Sequence, residues 1–150
     1  MNDTVKTPWH LWVIGVVALL WNGFGANDYI QTQMRNTEYL GQMADQVGVP
    51  VQTILDHYGN FPAWADALWA IGVWGAVVGS VLLLLRSRFA FHAFAAAIVG
   101  LIGTTIYTAT SDMPAELSSP MMWVFSAVIW IVTLLLIWYS KRMTVAGVLR

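Results

Sequence analysis

The sequence predicts an all-α integral membrane protein, with four transmembrane helices in one bundle and short amphipathic helices in the first outer loop. Three observations predict it. The chain is 58% hydrophobic and only 10% charged over 150 residues, with nine Trp and no Cys, a balance outside the range of soluble domains. Its uncharged runs, at 7–27, 67–85, 89–111 and 117–140, each approach the roughly 20 helical residues that cross a hydrocarbon core about 30 Å thick. Finally, Lys6, Arg86, Arg88, Lys141, Arg142 and Arg150 fall on one side of those runs and only Arg35 on the other. Cytoplasmic loops carry the excess of Lys and Arg, so both termini are expected in the cytoplasm. Seven of the eight acidic residues sort to the opposite side, leaving Asp3 alone with the basic group.

The first helix is expected over about 8–26. Pro8 suits a helix start, where a missing N–H costs nothing, and Trp9 and Trp12 mark the inner interface. Bulky Phe24 stands where a signal-peptide cleavage site needs a small residue, so an uncleaved helix is expected. Its outer end, Trp21-Asn22-Gly23-Phe24-Gly25-Ala26-Asn27-Asp28-Tyr29, sets an amide inside the apolar run and a carboxylate just beyond it. If the helix continues outward, Trp21, Asp28 and Arg35 recur every seven residues and share a face. Gln31 with Arg35, and Arg35 with Glu38, then have the spacing of touching side chains. Asn22 has two readings. It hydrogen-bonds a neighbouring helix, or with Asn27, Asp28 and Tyr29 it lines a polar site near the outer face, because intramembrane polar groups are disproportionately functional.

The outer loop, 27–62, carries Leu40, Met43, Val47, Val51, Ile54, Leu55 and Tyr58 at spacings of two short amphipathic helices, broken near Gly48-Val49-Pro50. Such helices lie on the membrane surface or cap the bundle. The second helix is expected over 63–85, with Gly72, Gly75 and Gly79 as a small-residue strip for close packing inside the bundle or between protomers. The run 81–85 is apolar all round and reads as largely lipid-facing. The third helix, over 89–109, is thin with Ala and with Gly100 and Gly103, as a central helix would be; its outer end carries Thr104, Thr105 and Tyr107 at about the depth of Asn22. Those hydroxyls either line a pocket or bond back to their own helix. The fourth helix is expected over 120–140, closed by Trp138 and Tyr139 before Lys141 and Arg142.

The outer signature around Asn22, together with Phe61-Pro62-Ala63-Trp64, Trp69-Ala70-Ile71-Gly72-Val73-Trp74-Gly75, Gly79-Ser80 and Arg86-Ser87-Arg88, resembles a group of small four-helix bacterial inner-membrane proteins often labelled sugar transporters. The resemblance spans roughly residues 9–88. It implies an inner-membrane location and raises the expectation of transport, and it carries over no binding or catalytic residue.

Function is narrowed mainly by exclusion. Without Cys there is no disulfide, thiol catalysis or Cys-held metal. No nucleophile elbow, phosphate loop or zinc signature is present, and the basic charge is too sparse for nucleic acid, so no enzyme, cofactor or metal is expected. The leading expectation is a non-catalytic accessory subunit or homo-oligomer whose partners are the bilayer and other membrane helices. The alternative is a small-solute, sugar-like transporter or sensor using Asn22, Asn27, Asp28, Tyr29, Thr104, Thr105 and Tyr107. A third is a haem or quinone protein with His10 and His92 as axial ligands.

Overall fold

The computed structural model describes residues 5–150; the first four, with Asp3 among them, lie outside it. Six helices follow in order: α1 (Trp9–Gln33), α2 (Thr37–Val47), α3 (Val51–Gly59), α4 (Ala63–Leu84), α5 (Ala90–Thr110) and α6 (Pro120–Val145). Of these, α1, α4, α5 and α6 are long and apolar enough to cross a membrane. The chain is a multi-pass membrane bundle with a two-helix cap at one end and the N- and C-terminal segments at the other.

Helix α4 packs against α1 and α5, and α6 packs against α5 and also meets α1, with Trp21 on Phe125 and His10 on Tyr139. Glycine sets the closest contact. A Cβ on Gly100 would land on the backbone of Leu68 and Gly72; one on Gly75 would stand 3.1 Å from Ala93 O and Ala97 N. The strip on α4 is therefore spent inside the bundle, against α5. The run 81–85 departs in part from the lipid-facing expectation: Leu83 is fully buried with Leu11, Ala90 and Phe94, Leu82 packs on the same cluster, and Leu84 lies against Gly15. A run that is uniform in sequence is sorted by its neighbours, here α1 and α5.

Two helices outrun their sequence limits. At 25 residues, α1 is about 37 Å long at 1.5 Å per residue, so its last turns project past a 30 Å core. It ends two residues before Arg35, which takes a left-handed conformation with φ 51°. The expected Gln31–Arg35 and Arg35–Glu38 helical pairs therefore do not form. Asn36 takes over: its Nδ2 donates to Gln31 Oε1 at 2.8 Å, and its Oδ1 accepts from the Glu38 and Tyr39 amides, capping α2. Helix α6 runs on to Val145, five residues past the expected end. Beyond it Val148 and Leu149 are buried, and Arg150 N donates to Arg86 O at 2.8 Å while Arg88 N donates to Arg150 O at 3.0 Å. The final residues thus close the terminal end against the α4–α5 turn.

The cap forms as its sequence spacing predicts. Helices α2 and α3 meet through Leu40, Ala44, Val49 and Ile54, with Gly48 at φ 78° turning the chain between them. Leu117 of the 111–119 connection packs against the same cluster, which ties the cap to the second hairpin.

Candidate functional site

Most of the expected pocket residues have partners within the bundle. Asn22 Nδ2 donates to Ser80 Oγ at 2.9 Å and to Ala76 O at 3.3 Å, while Ser80 Oγ donates to the same carbonyl at 2.9 Å. Ser80 is fully buried, so this is the amide joining two helices. Thr104 Oγ1 donates to Gly100 O and Leu101 O, and Thr105 Oγ1 to Leu101 O at 2.7 Å while accepting from Trp130 Nε1 at 3.2 Å. These hydroxyls back-bond as Thr commonly does in helices and hold α6 through one indole. Asn27 is exposed.

Of the other three, Asp28 reaches the cap, and Tyr29 and Tyr107 pack on aromatic rings of α4 and the segment before it. Asp28 Oδ1 accepts from the Tyr39 hydroxyl at 2.9 Å, a charge-assisted bond between α1 and α2. Burial, that hydrogen bond and the Asp28 charge together push the Tyr39 phenol up to about 12. Tyr29 meets the Trp69 ring edge-on at 4.9 Å. Tyr107 packs on Phe61 at 4.6 Å and on Trp64 at 5.6 Å. Tyr58, stacked on Trp69 at 5.4 Å, completes an aromatic seam between cap and bundle. Its phenol is pushed up to about 12, first by burial and then by the charges of Asp28 and Tyr39.

Beside this seam opens a hollow of about 170 Å³, with Gln33, Arg35 and Gly59 of its lining exposed. Its apolar walls are Leu40 and Leu55 of the cap with Tyr58, Phe61 and Trp69; its polar lining is Thr32, Gln33, Arg35 and Asp66. Helix α4 places Asp66 in its first turn, where the positive end of the helix dipole favours a carboxylate. Gln33 Nε2 donates to Asp66 Oδ1. The Arg35 guanidinium lies over the last turn of α3, with Nη2 3.3 Å from where a Cβ on Gly59 would stand. The arrangement offers a cation, a carboxylate and an amide around an aromatic wall, which suits recognition of a small polar molecule.

The hollow lies at the same end of the molecule as the polar candidates named from the sequence, and other side chains line it. The cavity residues are brought together by α2 and α3 folding back over α1 and α4. The available signal was compositional: Arg35 is the single Lys or Arg at the cap end among the described residues, and Asp66 lies in the first turn of a helix. A second hollow, of about 360 Å³, lies between α3 and the 111–119 connection and is lined by Thr53, Asp56, His57, Asn60, Tyr107 and Asp112.

At the terminal end, His10 Nδ1 and the Tyr139 hydroxyl share a 2.6 Å hydrogen bond. His92 is exposed, its ring packed against Phe89 and Phe91. Among the described residues, no group of three or more His, Cys, Asp or Glu side chains is placed to hold a metal ion. Compared with protein families, with curated proteins and with solved structures, the chain matches none.

Proposed function

We propose that the protein is a small-solute receptor of a bacterial inner membrane, acting as a sensor or as the binding unit of a transporter, with both termini in the cytoplasm and the cap outside. The observation that carries this reading is the cavity between cap and bundle, where Arg35, Asp66 and Gln33 meet Tyr58 and Trp69. A purely structural cap needs the aromatic seam and the Asp28–Tyr39 bond. It does not need a cation and a carboxylate on the lining of one hollow, with Arg35 exposed and Asp66 half-buried. The α4 glycine strip supports the same choice, because its contacts with α5 leave it unavailable to a second protomer. Transport would require several copies, as four helices are few for alternating access.

The test is thermal stability of the purified full chain against millimolar sugars, polyols and amino acids. A ligand bound only by the folded state stabilises by RT ln(1 + [L]/Kd), about 2.7 kcal/mol at a hundred times Kd. At least one solute class is expected to raise the melting temperature by several degrees, and Asp66→Asn to remove the shift. No shift with any class, or one that survives Asp66→Asn, overturns the reading.

A second reading, an accessory subunit, draws on α6. It is the least buried of the four spanning helices, with Trp123, Val124, Phe125, Ile131 and Leu135 exposed. Lipid covers such a face equally well. A stoichiometric foreign subunit in a mild-detergent extract would favour this reading over the first.

A further inference from the structure

We propose that residues 147–150 are a releasable strap, which closes the terminal end of the bundle and comes away from it as one unit, uncovering the end of the apolar core. The strap begins at Gly147, exposed and in the left-handed region at φ 72°, where the chain turns back after α6. Val148 and Leu149 are each only 3% exposed, and they join Leu11, Leu83, Phe94 and Leu136, one residue from each spanning helix, in a single cluster. Three hydrogen bonds tie the strap to the α4–α5 turn. Arg150 N donates to Arg86 O at 2.8 Å, Arg88 N to Arg150 O at 3.0 Å, and Arg86 Nε to Val148 O at 3.3 Å. The Val148 and Leu149 amides donate back to Met143 O, within α6.

Arg86 is what makes the closed state costly. Its backbone is left-handed at φ 58°, where Gly or Asn is the unstrained choice. The guanidinium that reaches the strap through Nε is satisfied on that side only. Its Nη2 is buried with no hydrogen-bond partner, the one such side-chain nitrogen or oxygen among the described residues. Water does not reach this nitrogen while it is covered, and the carboxylate side chains among the described residues all belong to the cap end. A buried guanidinium donor without an acceptor is penalised more than a neutral one, because its charge has lost hydration. Closure therefore sets the burial of two aliphatic side chains and three hydrogen bonds against a desolvated cation and the ordering of four residues. Opposing contributions of this kind give a local opening with its own equilibrium, separate from unfolding of the spanning helices.

The experiment is residue-resolved amide hydrogen exchange on the full chain in lipid nanodiscs, comparing Arg88, Leu149 and Arg150 with the interior of α4. The Arg88 amide is diagnostic, because it sits on the α4–α5 turn while its acceptor is on the strap. One common opening is expected for the three amides, which should be protected relative to their intrinsic rates but at least about a hundredfold less than the α4 interior. Arg86→Leu removes the unmatched cation together with the Nε bond, and should raise the protection of Leu149 and Arg150 about tenfold. Leu149→Gln should free the strap, bringing Arg88 near its intrinsic rate while α4 and α5 stay protected. On the unaltered chain, protection of the three amides equal to that of α4 overturns the proposal, and so does no protection at all. Loss of protection throughout α4 and α5 in Leu149→Gln also overturns it, because the strap would then be part of the global fold. A fall in protection in Arg86→Leu does the same, since the guanidinium would then be holding the strap closed.

Discussion

Asn22 and Tyr39 are polar side chains that each hold two elements together, and removing each has a distinct consequence. Asn22→Ala breaks the bonds from α1 to Ser80 and Ala76 O. Interhelical hydrogen bonds in bilayers are worth about 0.6 to 2 kcal/mol, so a loss of that size is expected in unfolding by denaturing detergent, with solute binding unchanged. Tyr39→Phe removes the donor to Asp28 and should speed amide exchange in α2 while leaving the spanning helices as they are. The Tyr39 phenol, ordinarily at 10.0, is raised to about 12, so the folded cap holds that proton more tightly than the unfolded chain. Its contribution is complete below pH 10 and is lost as pH rises toward 12. His57 works in the opposite direction: burial lowers it from its ordinary 6.5. Its neutral form is favoured in the folded cap, so the protection of α3 amides relative to their intrinsic exchange rate should fall as pH falls below 6.5, and His57→Gln should flatten that dependence.

Helix pairing is governed by where glycine is required. A Cβ on Gly100 would meet the backbone of Gly72 and Leu68, whereas one on Gly25 would meet nothing within 4 Å. Gly100→Ala should force α4 and α5 apart and cost at least the roughly 1 to 3 kcal/mol of an overpacked core; Gly25→Ala should be neutral or slightly stabilising. Thermal unfolding of the two variants side by side checks the contrast. The two glycines look alike in the sequence, each within an apolar helix. Hydropathy gave the four spans and the spacing of Leu40, Ile54 and their neighbours gave the cap, because burial in lipid or in a small core leaves a periodic trace. The ends of α1 and α6 were not legible, since helices that outrun the bilayer stop by local capping. At α1 that cap is Arg35 in a left-handed conformation followed by Asn36, a combination with little propensity signal.

The molecule as a whole is a bundle pinned at both ends, by the C-terminal residues against the α4–α5 turn and by the aromatic seam beneath the cap. Its cavity could not be read from helical phase. Thr32, Arg35, Tyr58, Asp66 and Trp69 come from four separate segments, and only the return of α3 over α4 brings them together. The residues singled out by their shared depth, Asn22, Thr104 and Thr105, hydrogen-bond within the bundle. The most direct measurement is native mass spectrometry of the chain released from mild detergent, wild type beside Asp66→Asn. A solute-sized adduct on the wild type that is missing from the variant is the predicted result. The same adduct on both, or none on either, would contradict a binding cavity beneath the cap.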